Sequence, residues 1–102
     1  MPSMKTFIVE ITYRVPIEAL GENVAEHRQF LKRGYEIGWL LCSGPMDSRS
    51  GGMVVARAPS QEDLERFFQD DPYRLKNLAS HRVIAFDPVL SQDFIKPWLS
   101  GG

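Results

Sequence analysis

A mixed α+β domain is predicted by three observations on the sequence. Lys5–Arg14 alternates strictly, with Phe7, Val9, Ile11 and Tyr13 on one face and Thr6, Ile8, Glu10, Thr12 and Arg14 on the other. Two helix starts follow at wide spacing: Pro16 suits a first helical position, and Ser60-Gln61-Glu62-Asp63 spells a capping box. Strand-like runs separate and follow the helices. The resulting order, β-α-β-β-α-β, is the ferredoxin-like split βαβ pattern.

Taken in order, Met1–Ser3 reads as a loose leader and Lys5–Arg14 as the first strand. Ile17, Leu20, Val24, His27 and Leu31 then recur at helical spacing and define one stripe. Gly21 weakens the early part, so the firm helix is expected from Glu22, with Gly34 as its C-terminal cap after Lys32 and Arg33. Ile37–Ser43 is apolar on both faces and reads as the second strand, ending at Gly44-Pro45. The polar, glycine-rich Met46–Gly52 forms a hairpin loop into a third strand, Met53–Ala58. Leu64, Phe67 and Phe68 supply the buried side of the second helix, which Asp71-Pro72 ends. A short turn from Pro72 leads to the fourth strand, His81–Asp87.

Length and composition set limits on function. A chain of 102 residues, 43% hydrophobic and 25% charged, holds one globular domain with a modest core. We place that domain at residues 1–88. Residues 89–102 form a C-terminal extension whose Phe94, Ile95 and Trp98 are expected to pack on the domain or on a dimer partner. A formal net charge of −1 with mixed signs argues against nucleic acid or an anionic membrane as partner. The single cysteine, Cys42, allows no internal disulfide and is expected to be a buried spectator. No apolar run reaches membrane-spanning length and no signal-peptide pattern is present, so a cytoplasmic location is expected. Two helices on one face of a four-stranded sheet leave the other face bare, which predicts a homodimer joined sheet to sheet.

Two residues stand out chemically. His27 occupies a leucine position in an apolar stripe, and Asp71 is held before Pro72, where the α conformation is disfavoured. Asp71 also suits the N-cap of a helix starting at Pro72. Its two oxygens are expected to divide between a backbone N–H and His27. Asp70, with no following proline, is expected to be solvated, and His81 to lie at the surface.

These features together resemble the YciI-like proteins of the dimeric α+β barrel superfamily. The resemblance rests on His27 in AEHRQFL, Gly44-Pro45-Met46, Gly51-Gly52 and Asp70-Asp71-Pro72-Tyr73, in that order, and covers roughly residues 4–88. It implies a His27–Asp71 dyad in a cleft, with Ser43, Gly44, Pro45 and Tyr73 as candidate substrate-binding residues. No cofactor is expected, and no metal, since a metal site would need His27, His81 and carboxylates to converge without any spacing motif. One departure concerns Val24, where the family often carries an arginine; Arg57, Arg74 and Arg82 are candidates to replace it. A family relative acts on a chlorinated hydroxyquinol, and the superfamily includes muconolactone isomerase-like and monooxygenase members.

A His–Asp pair supports acid–base chemistry, since the carboxylate fixes the imidazole tautomer and stabilises the imidazolium. The leading expectation is therefore a cofactor-free lyase or isomerase acting on a small cyclic or aromatic metabolite. A non-catalytic ligand-binding or assembly module, and a cofactor-free monooxygenase-like relative, are the alternatives. A core histidine and an ordinary helix cap would account for the same two residues without any chemistry.

Overall fold

The computed structural model describes residues 3–102; Met1 and Pro2 of the expected leader lie outside the described part. Strand β1 (Lys5–Tyr13) runs between β3 (Gly51–Ala58) and β4 (Ala79–Phe86), and β2 (Leu40–Pro45) extends the sheet beyond β3. Every neighbouring pair is antiparallel, in the order β2-β3-β1-β4. This is the ferredoxin-like arrangement that the element order predicted.

The alternation in β1 decides which face is buried. Phe7 and Val9 are fully buried, and Ile11 is nearly so. They stand in register with Ala56, Val54 and Gly52 of β3 and with Ala85, Val83 and His81 of β4. Helices α1 (Asn23–Glu36) and α2 (Gln61–Phe68) supply Phe30, Leu31, Leu64 and Phe68 to the same core. Each such large apolar side chain contributes roughly 1.5–3 kcal/mol on burial. Ser60 caps α2 as its sequence predicts: its Oγ accepts the Asp63 N–H at 3.1 Å and donates to Asp63 Oδ2 at 3.0 Å.

Gly34 is not the cap of α1. The helix passes through it to Glu36, and the chain turns at Gly38, whose φ of +79° is in the left-handed region. A Cβ at position 34 would fall 2.6 Å from the Leu40 side chain and 2.9 Å from the Phe67 ring, so Gly34 lets helix and strand approach closely. The extra helical length delays β2, which begins at Leu40 rather than Ile37. Gly21, at φ +49°, separates α1 from a one-turn 3-10 helix over Ile17–Leu20.

Cys42 is exposed, contrary to expectation. An irregularity between Leu40 and Cys42 shifts the register, and Cys42 pairs with Val55. Val55 has the sheet parity opposite to the buried Val54 and Ala56, so Cys42 belongs to the face without helices. On that face Ile8 stands between Val55 and Ile84, with Met53 and Phe86 partly exposed nearby.

The C-terminal extension folds back over one end of this face. Arg57 donates from Nη1 to the carbonyls of Trp98 (2.6 Å) and Gly102 (2.9 Å), and from Nε to Gly38 O (2.7 Å). The Trp98 ring of α4 (Lys96–Leu99) lies over the same guanidinium at 5.1 Å, a cation–π contact. Val89, Leu90 and Phe94 remain exposed.

Candidate functional site

The site is built around a carboxylate with no exposure to solvent. Asp71 has the extended conformation that Pro72 imposes (φ −62°, ψ 124°) and caps α3 (Pro72–Leu75). Its Oδ1 accepts the Tyr73 N–H at 3.0 Å and also His27 Nδ1 at 2.8 Å. Its Oδ2 accepts from His81 Nε2 at 2.8 Å. The two oxygens therefore do not divide between backbone and His27, as the sequence suggested; one takes both, and the other takes a residue expected at the surface.

The His81 side chain is only 1% exposed. It stands opposite Ile11 on the helix-covered face, two residues before Val83. Strand parity carried this information: a histidine in phase with Val83 and Ala85 points the way they do. Asp70 is exposed, as its sequence context indicates.

Charge and tautomer follow from this geometry. An ionised carboxylate only accepts, so both imidazoles present an N–H to Asp71. Burial pushes the Asp71 carboxyl up, but hydrogen bonds from His27 and His81, the charge of His27 and the Tyr73 N–H outweigh it. The group is held below the ordinary value of 3.8. In the neutral His27 ring the proton then sits on Nδ1, which leaves the Nε2 lone pair free. Among the described residues the one fully buried side-chain polar atom without a partner is His81 Nδ1, not His27 Nε2.

His27 and Tyr73 form one wall of a cavity of about 440 Å³. Their rings stack at 4.0 Å and 7°, and Tyr13 meets Tyr73 edge-on at 5.8 Å. Burial, with the charges of Tyr13 and Asp71, pushes the Tyr73 hydroxyl up to about 12, against the lowering effect of Arg28. It stays protonated at neutral pH. Ile11, Val24, Leu31 and Val54 give the cavity its apolar lining.

Ser43, Gly44 and Pro45 line the same cavity, and Ser43 Oγ shares a hydrogen bond of 2.6 Å with Tyr35 Oη. The structure thus brings five of the six sequence-selected residues to the cavity wall and places Asp71 against His27. Val24 lines it at the family's arginine position. The three arginines considered as replacements are elsewhere: Arg57 is spent on the C-terminal extension, and Arg74 and Arg82 are exposed outside the cavity lining. Arg28 and Arg49 line the cavity instead. Neither stands out in the sequence. A long arginine stem at an exposed position can still lay its head over a neighbouring cavity. No group of three or more His, Cys, Asp or Glu among the described residues is arranged to hold a metal ion.

The fold recurs in solved structures. The 5-chloro-2-hydroxyhydroquinone dehydrochlorinase of Burkholderia phenoliruptrix AC1100, solved in complex with 2,5-dihydroxybenzoquinone, superposes with a TM-score of 0.68 at 18% identity. The match covers 80% of this chain and 93% of that one. A cofactor-independent oxygenase from Streptomyces nogalater matches with a TM-score of 0.54 at 13% identity, over 89% of this chain and 98% of the other. No curated protein matches the sequence. The family model of the YCII-related domain matches residues 4–87. With the dyad segments inside that span and the ferredoxin-like sheet around them, the chain belongs to the YCII-related family.

Proposed function

We propose that this chain is a small enzyme that moves a proton on a cyclic or aromatic metabolite by His27–Asp71 acid–base chemistry, with no cofactor. The observation that carries the reading is the committed Nδ1 and free Nε2 of His27 at the wall of a small-molecule-sized cavity. His27 Nε2 takes a proton from carbon or hydroxyl next to a carbonyl, and Asp71 stabilises the resulting imidazolium. Returning that proton to another atom completes an isomerisation. Loss of a leaving group with its bonding pair, as the new double bond forms, completes an elimination. His81 acts from behind by holding the carboxylate in place and in its ionised form. The dehydrochlorinase of the same fold, which was solved with a quinone ligand, supports a ring substrate.

The test is turnover by His27→Ala and Asp71→Asn, beginning with chloride release from 5-chloro-2-hydroxyhydroquinone and continuing through isomerisable cyclic enols. Each variant is expected to lose about 10²-fold or more in kcat/KM, as removal of a general base does. Variants that are less stable but turn over every active substrate at the wild-type rate would show that the pair is structural. Turnover that persists in deoxygenated buffer separates proton transfer from oxygen insertion.

The reading extends to a homodimer joined through the bare sheet face, where Ile8, Val55 and Ile84 form an apolar row. Light scattering is expected to give twice the mass of the 11.6 kDa chain, and Ile84→Asp to halve it. A wild-type mass of one chain refutes the dimer.

A further inference from the structure

Arg28 and Arg49 come from unconnected parts of the chain, helix α1 and the β2–β3 hairpin, and yet both line the His27 cavity. Among the described residues no Asp or Glu lines it, although the chain holds 13 acids against 12 lysines and arginines. Among the described residues neither arginine forms an ion pair with a carboxylate, whereas Arg66, Lys76 and Lys96 each do. The two guanidiniums act on a common point. Both lower the Tyr13 hydroxyl against the larger upward effect of its burial. Tyr13 in turn meets the Tyr73 ring, which stacks on His27.

A pair of arginines, two tyrosine rings and a histidine base therefore line one cavity. Arg49 is also held in an uncommon backbone state for a side chain of its size, at φ +59°, within the turn closed by its N–H to Met46 O at 2.9 Å. Two guanidiniums facing an acid-free, largely apolar cavity form a site for an oxyanion on a ring-sized body. Val24, at the position of the family's arginine, contributes only apolar wall, so this charge arrives from other elements.

We infer that the substrate is an organic anion whose carboxylate or ionised ring hydroxyl lies between Arg28 and Arg49, beside Tyr13, while its reacting proton faces His27 Nε2. This rests on the proton-transfer reading of the same site and adds the charge and orientation of the substrate. Both arginines are exposed at the mouth, so the attraction is of moderate size and is screened by salt.

The experiment compares calorimetric binding of salicylate with that of salicylamide, its neutral counterpart of nearly equal shape. Salicylate is expected to bind at least about tenfold more tightly at low salt, the usual scale for a charge-assisted contact. The preference should shrink as sodium chloride is added. Arg28→Gln and Arg49→Gln should each reduce it to about threefold or less, and Arg74→Gln, on an exposed turn outside the cavity, should leave it intact. Equal affinity for the two probes, a salt-independent preference in the wild-type protein, or binding by neither overturns the inference. So does a preference that survives both arginine substitutions. His27→Gln separates the two claims: it should keep the salicylate preference and lose turnover. Persistent turnover in His27→Gln with an intact preference would refute the base and leave the anion site standing.

Discussion

Asp71→Ala is expected to lower the unfolding free energy by about 3–5 kcal/mol, the scale for removing one partner of a buried ionic contact. Three donors converge on this fully buried carboxylate: His27 Nδ1–H, His81 Nε2–H and the Tyr73 N–H that starts α3. Alanine leaves all three without an acceptor, and each unmet buried group costs about 1–3 kcal/mol before any relaxation. Asp71→Asn should fall between wild type and alanine. Its amide oxygen can keep His27 and Tyr73, but its NH₂ then meets the Nε2–H of His81. That ring must move its proton to Nδ1, which has no partner in the fold. Urea titrations of the three proteins check the order. Equal stability of alanine and wild type would mean that the donors find water and the carboxylate does not hold the fold.

The same group sets a pH dependence with a defined sign. Its folded value lies below the ordinary 3.8 of the unfolded chain, so the unfolded state binds the proton more readily. The stabilisation is complete above 3.8 and is lost as pH falls through that value toward the lower folded one. Stability measured from pH 6 downward should fall in wild type more steeply than in Asp71→Asn, which has no proton to take up here.

Gly51→Ala is expected to cost at least about 3 kcal/mol, at the upper end for forced overpacking. A Cβ at Gly51 would lie 1.8 Å from Ile11 O, a backbone atom next to the last pair of the β1–β3 ladder, Thr12 with Gly51. Backbone cannot swing aside as a side-chain end can, so the strands must part where Ile11 also meets His81 across β4. The damage should reach the Asp71 cluster, visible as a loss of the hydrogen-bonded imidazole N–H resonances. Gly44→Ala is the comparison. Nothing lies within 4 Å of its added Cβ, so its stability should stay within about 0.5 kcal/mol of wild type. Similar melting of both alanine variants would contradict this packing.

Periodicity carried most of the fold. Phe7, Val9 and Ile11 are buried because strict alternation in β1 leaves only one way to cover the sheet. Gly34 misled because a basic pair followed by glycine is written the same way for a helix stop and for a close helix–strand contact; Leu40 and Phe67, which decide between them, lie on β2 and α2, outside that local pattern. Cys42 misled because a register irregularity in an edge strand reverses parity without a local composition mark. In the site, His27 and Asp71 were readable as individual oddities, one a polar residue in an apolar stripe and one an acid fixed by proline. His81 was readable by parity alone. Arg28 and Arg49 were not, because nothing in either neighbourhood encodes that a helix and a hairpin open onto the same cavity.

Asp71 does two jobs with one side chain, and this has a consequence for descent. It caps α3 and holds two imidazoles, so a lineage that lacked the proposed chemistry would still be selected to keep the acid for folding. His27 supplies one of the three donors to that acid, and only its Nε2 is reserved for the proposed proton transfer. In sequences descended from a common ancestor with this chain, retention of the aspartate alone would report on folding, and retention of both residues is what the proposed chemistry requires.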